Sequence, residues 1–585
     1  MKLLGKARRY RILETLGKGG SGTVYRAFDS VEKRELAIKV LNEDLSASLA
    51  SLASDEFRLL ASHTHANLVQ VYDYGTTTDG LRYFTMELLE GEDLLGYLAR
   101  ILPDRPGRGE APALRELLDQ VLAALDYIHS RGLVHQDLKP QNILVSENDG
   151  NPQVKLIDFG LSRTTGTESR ELSGTIEYLA PEILEGGAST AQSDLYSFGI
   201  ILYEIFQGHP PFHGERAEKI IRGHLDDTPA ELDAIAEPYR ELAQKLLEKD
   251  PKARPACAED VRHRLPGARE RSIPSLPAFS SVFVGREAIL SRLLERLATP
   301  GEDGPAGALL LGPTGMGKTR LLRELQVRAQ VRETAVYMET CREEDRPGAL
   351  LYRLLERVAA ENDAEDELLS RLEKCLADLQ GTDSAHGASL ESFHYRVTNL
   401  LGEIARDKPC SIVIDDLQWA DSLSLHTIAC LARRGGGTKA EKSPRLFLAC
   451  RIDGEDDLIF TRTLEDLFNI PAALEKISIE GLGPDEVAAY MERLLGHAGA
   501  LPEELRKLLQ RDTAGNPFYI EEYLRLLGEL GGFERKGSSW TLKADVSIPI
   551  PGSLADAANR RLKNIEGLRR KVLDAAAVLA RPFSR

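Results

Sequence analysis

Residues 312–319 read GPTGMGKT, and this octapeptide constrains the fold more tightly than any other stretch. An apolar run, residues 307–312, leads into it, and the helical pattern RLLRELQVRAQ follows. Strand, glycine loop and helix in that order form a cradle in which backbone N–H groups and a helix N-terminus face an anion. Gly312, Gly315 and Gly317 keep side chains out of the cradle, Lys318 is placed to bridge two phosphates, and Thr319 to bind Mg²⁺. Apolar runs at 410–416 and 445–451 are short and separated by helical stretches, which implies a parallel α/β sheet. The first of them ends in SIVIDD, offering Asp415 as a metal-binding carboxylate and Asp416 as a base that orients water.

One such sheet does not account for the chain. At 585 residues it exceeds a single hydrophobic core, and its length suggests about three to four domains. A second glycine loop, GKGGSG at 17–22, has a different grammar. A dinucleotide fingerprint runs from strand into helix, whereas TVYRAFDS continues as strand. Gly17, Gly19 and Gly22, with Val24 beyond them, let backbone amides close over phosphates. ELAIKV puts Lys39 on the next strand, where its ammonium can hold two phosphates, and Glu56 follows on a helical stretch that can pair with it. HQDLKPQN then supplies Asp137 to accept a hydroxyl proton, Lys139 to neutralise a transferring phosphoryl, and Asn142 to bind a metal. LIDFG adds Asp158 as a second Mg²⁺ ligand after a buried strand. DLYSFG supplies Asp194, and Glu182 of APE with Arg254 of DPKARP is expected to form a buried structural pair. Phosphoryl transfer needs positioning and charge neutralisation, and this series provides the clamp, the metal ligands and the base.

In order and spacing these motifs resemble the eukaryotic-like Ser/Thr protein kinases over residues 10–265. The resemblance implies a two-lobed fold with ATP in the cleft. It assigns the ATP site to Leu16, the three loop glycines, Val24, Ala37 and Lys39, with Met86 as gatekeeper. Glu87 to Leu89 would face adenine and Asp93 the ribose. Lys139 together with Thr175 is the serine/threonine pattern, so protein hydroxyls are the implied acceptors. One position departs: Gln136 stands where these kinases usually carry arginine. That arginine commonly meets a phosphate on the activation loop, a charge-assisted fork that glutamine cannot make. Asp137, Lys139, Asn142 and Asp158 all remain, so the departure touches regulation and leaves the chemistry intact. Thr165, Thr167, Ser169 and Ser173 are the candidate phosphoacceptors of that loop.

The second block resembles the STAND class of signalling ATPases, relatives of AAA+ proteins, through FVGRE at 283–287, the phosphate loop and DDLQWAD. The resemblance implies ATP and Mg²⁺ as cofactors and places Arg451 at a sensor position after the third strand. TAGNPFYIEEYLRLL resembles the helical-domain signature of that class, with Pro517 near the nucleotide, and the tail resembles the start of a winged helix. The expected fold class is thus multidomain, α+β and α/β. A two-lobed kinase fold (1–265) and a linker (266–281) precede a P-loop NTPase domain (282–480), a helical domain (481–545) and the beginning of a winged helix (546–585). Residues 482–535 become helical and amphipathic, as in PDEVAAYMERLLGHA and PFYIEEYLRLLGEL.

Bulk properties set the remaining expectations. A net charge of −17 argues against non-specific nucleic-acid binding. No apolar run approaches the ~20 residues that span a bilayer, and six scattered cysteines without a CxxC pair fit reduced thiols. These features fit a cytoplasmic protein, and the two resemblances together imply a bacterial-type signalling protein. Its partners are protein substrates and, through the NTPase module, further copies of itself. The competing reading is a nucleotide-gated scaffold in which the kinase fold serves only for docking.

Overall fold

The computed structural model describes residues between Leu3 and Leu542 apart from 43–53, 55–56, 103–110, 165–175, 267–282, 299–304, 362–369, 376–386, 436–442, 496–502 and shorter gaps elsewhere. The tail read as a winged helix and most of the linker lie outside the described residues.

The first block opens with an antiparallel sheet of β1 (Tyr10–Lys18), β2 (Gly22–Asp29), β3 (Arg34–Leu41), β4 (Val71–Thr76) and β5 (Arg82–Met86). Their spatial order is β1-β2-β3-β5-β4, and the short strand Leu3–Leu4 extends the β1 edge. RELAIKVL in β3 is buried along six consecutive positions, as a central strand covered on both faces requires. Glycine is required at position 22, where a Cβ would stand 2.3 Å from the Val40 carbonyl oxygen of the neighbouring strand. A helix at 57–62, α1, lies between β3 and β4.

The larger lobe is built on α2 (Pro112–His129) and α3 (Ala191–Gln207). Helix α3 starts at a reciprocal Thr190–Ser193 cap and stops at Gly208, whose φ of 85° no β-branched residue would tolerate. Nearly every side chain of α3 is buried, so it forms the spine of this lobe.

The second block is the parallel sheet that its apolar runs imply. Strands β6 (Gly307–Gly312), β7 (Ala335–Thr340), β8 (Cys410–Asp415), β9 (Arg445–Arg451) and β10 (Glu475–Ser478) lie in the order β7-β8-β9-β6-β10. Strands β6 and β8 are buried at all six positions. Helices α4 (Lys318–Val331) and α5 (Ala349–Glu361) cover the sheet near β7. A separate core joins α6 (Pro484–Leu495), α7 (Glu503–Thr513) and α8 (Pro517–Glu529) around Val284. Helical structure stops sooner than the amphipathic pattern suggests. Phe533–Lys536 pairs antiparallel with Ser539–Leu542 inside the stretch expected to be helical. Among the described residues all six cysteines are free thiols, and no helix is long and apolar enough to cross a membrane.

Two candidate nucleotide sites

Sheet register assembles one wall of the first site. Gly17 lies opposite Val24, Val24 opposite Lys39, and Lys39 opposite Phe84, so the glycine loop, the cleft valine and the lysine share a row across four strands. Ala37 pairs with Met86 in the same way. Lys39 and Ala37 are buried, whereas Leu16 is 48% exposed at the cleft mouth. Glu87 accepts the Gln70 N–H at 2.8 Å and pairs with Lys155 at 2.7 Å, and Leu89 packs at the edge of the core. Asp93 caps the helix Leu94–Ile101 by accepting the Gly96 N–H at 2.8 Å, a structural duty the sequence reading did not assign.

The opposite wall is the loop at 133–142. Its backbone is anchored from below by α3: Asp194 accepts the N–H groups of His135 at 2.7 Å and Gln136 at 2.9 Å, with His129 Nε2 at 2.8 Å. Burial alone would raise the Asp194 carboxyl, but the bond from His129 and the charges and N–H of His135 outweigh it and hold it low. These bonds keep Gln136 at φ 70°, which turns the next residue, Asp137, into the cleft. Lys139 Nζ donates to Asp137 Oδ2 at 2.8 Å, and Asn142 Nδ2 donates to the Asp137 carbonyl at 2.8 Å and to Oδ2 at 3.1 Å. Asp158, itself at φ 62°, forms an ion pair with Lys39. The cleft therefore holds Asp137, Lys139 and Asn142 as one hydrogen-bonded unit, and Asp158 bridges to Lys39. Glu56, read as the partner of Lys39, lies outside the described residues, as do Thr165, Thr167, Ser169, Ser173 and Thr175. Glu182 and Arg254 form the expected buried pair, bidentate at 2.8 Å on both arms, and Ser193 Oγ donates to the same carboxylate.

In the second site, the loop between β6 and α4 takes left-handed conformations at Gly315 (φ 82°) and Gly317 (φ 86°). Lys318 Nζ donates to the carbonyls of Gly312 at 2.7 Å and Pro313 at 2.9 Å, and burial lowers its pKa against the pull of Asp453, Asp415 and Asp416. Asp415 ends β8, where burial raises its carboxyl while a bond from Thr319 opposes the rise. Asp416 takes φ 53° and accepts from Gln418 Nε2 at 2.8 Å. Strand β9 runs between β6 and β8, and its register sets Arg451 beside Gly312. Arg451 pairs with Asp453 at 3.1 Å and lies over the Trp419 ring.

Two residues here escaped the sequence reading. Asp453 accepts both the N–H and the hydroxyl of Thr314 at 2.7 Å, and Asn516 Nδ2 donates to the Thr314 carbonyl at 3.0 Å. The phosphate loop is thereby tied to the end of β9 and to the helical bundle. Asn516 directly precedes Pro517 and accepts the Phe518 N–H at 3.0 Å as the cap of α8. An Asn-Pro pair at a helix start was the available signal.

The protein kinase domain family matches residues 10–265 and the AAA ATPase domain family residues 282–448, while a domain of unknown function matches 483–530. Among similar proteins, the serine/threonine-protein kinase pkn2 of Myxococcus xanthus is 35% identical over 275 residues, covering 44% of this chain and 32% of its own length. PrkC of Bacillus subtilis is 35% identical over 271 residues, covering 44% and 40%. The M. xanthus kinase pkn3 is 32% identical over 325 residues, covering 52% and 58%. The chain thus spans about a third to three-fifths of the length of these relatives. Sequence, geometry and family matches agree that this chain joins a protein kinase domain, similar to those of bacterial serine/threonine kinases, to an AAA-type ATPase domain.

Proposed function

We propose that the chain is a Ser/Thr protein kinase that transfers the γ-phosphoryl of ATP to protein hydroxyls, with the ATPase domain as an attached nucleotide switch. The observation that carries the reading is the Asp137–Lys139–Asn142 unit facing Lys39 and Asp158 across one cleft. Asp137 would accept the proton of the incoming hydroxyl through its carboxylate. Lys139, within 2.8 Å of that carboxylate, would offset negative charge at the transferring group. Lys39 would hold two phosphates of ATP, and the row Gly17–Val24–Lys39 would lie along the nucleotide.

The donor set suits a hard cation. With Nδ2 given to Asp137, Asn142 offers its Oδ1, and the Asp158 carboxylate is 39% exposed toward the cleft. Those two residues would hold Mg²⁺, which would supply charge neutralisation at the phosphate oxygens. In the ATPase domain Lys318, Thr319 and Asp415 would serve phosphate and metal, Asp416 the attacking water, and Arg451 the sensor role. The module is read as STAND-like, with domain limits as the sequence suggests and a winged helix after the bundle. We further propose a bacterial cytoplasmic protein that would act on protein substrates and would self-associate through the module.

The test uses phosphatase-treated protein, Mg²⁺, γ-labelled ATP and a generic acceptor protein. Label should enter the acceptor with wild type and fall by about a hundredfold or more with Asp137→Ala. Equal labelling by the two proteins contradicts the assignment of Asp137.

A further inference from the structure

The kinase small lobe and the ATPase domain share an interface. Helix α4, which begins at Lys318, touches the small lobe at both ends. At its start, Arg320 Nη2 donates to the Ser62 carbonyl at 3.2 Å, on the last residue of α1. At its far end, Gln330 Nε2 donates to Asp73 Oδ1 at 2.9 Å in β4. Between them Val327, and just beyond Gln330 Val331, pack against the kinase core. Buried ions flank this contact. Arg9 bonds Asp29 at 2.8 Å and Asp73 at 3.0 Å within the small lobe, and Glu361 at 2.6 Å on the ATPase helix α5. Arg357 of α5 reaches back to Glu32 at 2.6 Å. Charges held this way are expensive to separate, so the contact fixes one orientation of the two domains.

A cavity of about 1280 Å³ runs through the junction. Lys318 and Thr319 line it on the ATPase side, and His63, Thr64 and Tyr72 on the kinase side. Resting on the reading of this P-loop as a nucleotide site, we infer that the site is composite. The kinase small lobe forms its outer wall, and Arg320 links a nucleoside di- or triphosphate bound there to helix α1. The lever is short. Arg320 follows Thr319 directly, so phosphates that draw Lys318 off its own loop carbonyls reset the same helical turn that holds Ser62. In sequence, α1 directly follows Glu56, the candidate partner of Lys39. Linkage is reciprocal: whatever nucleotide does to α1, the position of α1 does to nucleotide affinity. Arg320 is a positioning residue in this scheme.

The experiment is hydrogen exchange on the 585-residue chain with and without saturating MgADP, comparing wild type, Lys318→Ala and Arg320→Ala. A fluorescent nucleotide titration runs in parallel. Nucleotide in the kinase cleft affects all three alike, so the difference from Lys318→Ala isolates the P-loop. Exchange in helix α3 serves as the check on folding. We expect nucleotide to slow exchange over residues 57–74 in wild type by about fivefold or more beyond Lys318→Ala, and that excess to vanish in Arg320→Ala. Lys318-dependent binding with no excess protection overturns the composite site alone. Excess protection that survives Arg320→Ala overturns the route through that residue. Absence of any Lys318-dependent binding sinks the nucleotide reading of the ATPase domain as well as this inference.

Discussion

Gln136 holds a left-handed backbone, φ 70°, at a cost of about 1–3 kcal/mol for a residue with a side chain. The two N–H bonds to Asp194 offset that cost. Asp194→Asn keeps one accepting oxygen but sets an NH₂ donor against the other of those N–H groups, and should destabilise the kinase domain by about 2–3 kcal/mol in chemical denaturation. The pH dependence follows from the depressed Asp194 carboxyl. Its folded pKa lies below the unfolded one, so its contribution is complete above the ordinary carboxylate range and is lost as acid takes the pH through the folded value. Wild type should lose more stability on acidification than Asp194→Asn; parallel acid limbs would contradict this. The side chain of Gln136 leads to a second expectation. Its buried Nε2 has no hydrogen-bond partner among the described residues, and the group carries no charge to meet a phosphate. Phosphatase treatment should therefore change the initial phosphorylation rate by less than about threefold, against the far larger dependence that arginine–phosphate ordering creates.

At the scale of elements, the phosphate loop is braced from two sides, and Gly315 is where the bundle presses closest. A Cβ there would stand 2.7 Å from Asn516 Oδ1 and 2.7 Å from Phe518 Cβ, on a backbone at φ 82°. Gly315→Ala should push α8 off the loop and weaken nucleotide binding by about tenfold, or ~1.4 kcal/mol. Titration with fluorescent nucleotide, corrected by Lys318→Ala, measures this, and an unchanged affinity would contradict the seating of α8. The elements themselves were largely legible. The apolar run at 307–312 and the largely apolar CSIVID at 410–415 suit strands covered on both faces, and both are buried at all six positions. TVYRAFDS keeps its strand character after the first glycine loop, as its side chains suggest. Less legible were residues whose work depends on a distant neighbour. Asp453 looks like an ordinary polar residue after a strand, and its bond to Thr314 exists only because β9 pairs with β6.

For the whole molecule, the relation between the domains was not legible at all. Arg9, Asp73, Gln330 and Glu361 belong to no motif, and hundreds of residues separate partners that meet in one buried cluster. Such contacts are set by packing of finished domains, which local pattern does not encode. Arg9→Ala would leave Asp29, Asp73 and Glu361 facing one another without their shared cation. Loss of one member of a buried ion cluster typically costs about 3–5 kcal/mol, so this variant should unfold or separate its domains at markedly lower denaturant. An unchanged midpoint would show that the cluster does not hold the domains.

The central claim is one chain with two nucleotide sites of different chemistry. One reaction tests it: purified, phosphatase-treated protein with Mg²⁺ and γ-labelled ATP, followed at once for label in protein and for released phosphate. The account predicts that Asp137→Ala abolishes protein labelling while leaving Lys318-dependent phosphate release, and that Lys318→Ala removes that release while labelling persists at an altered rate. Phosphate release that depends on Lys318, with no label in any protein from the wild-type chain, would contradict the account and leave the kinase fold as a scaffold for the ATPase.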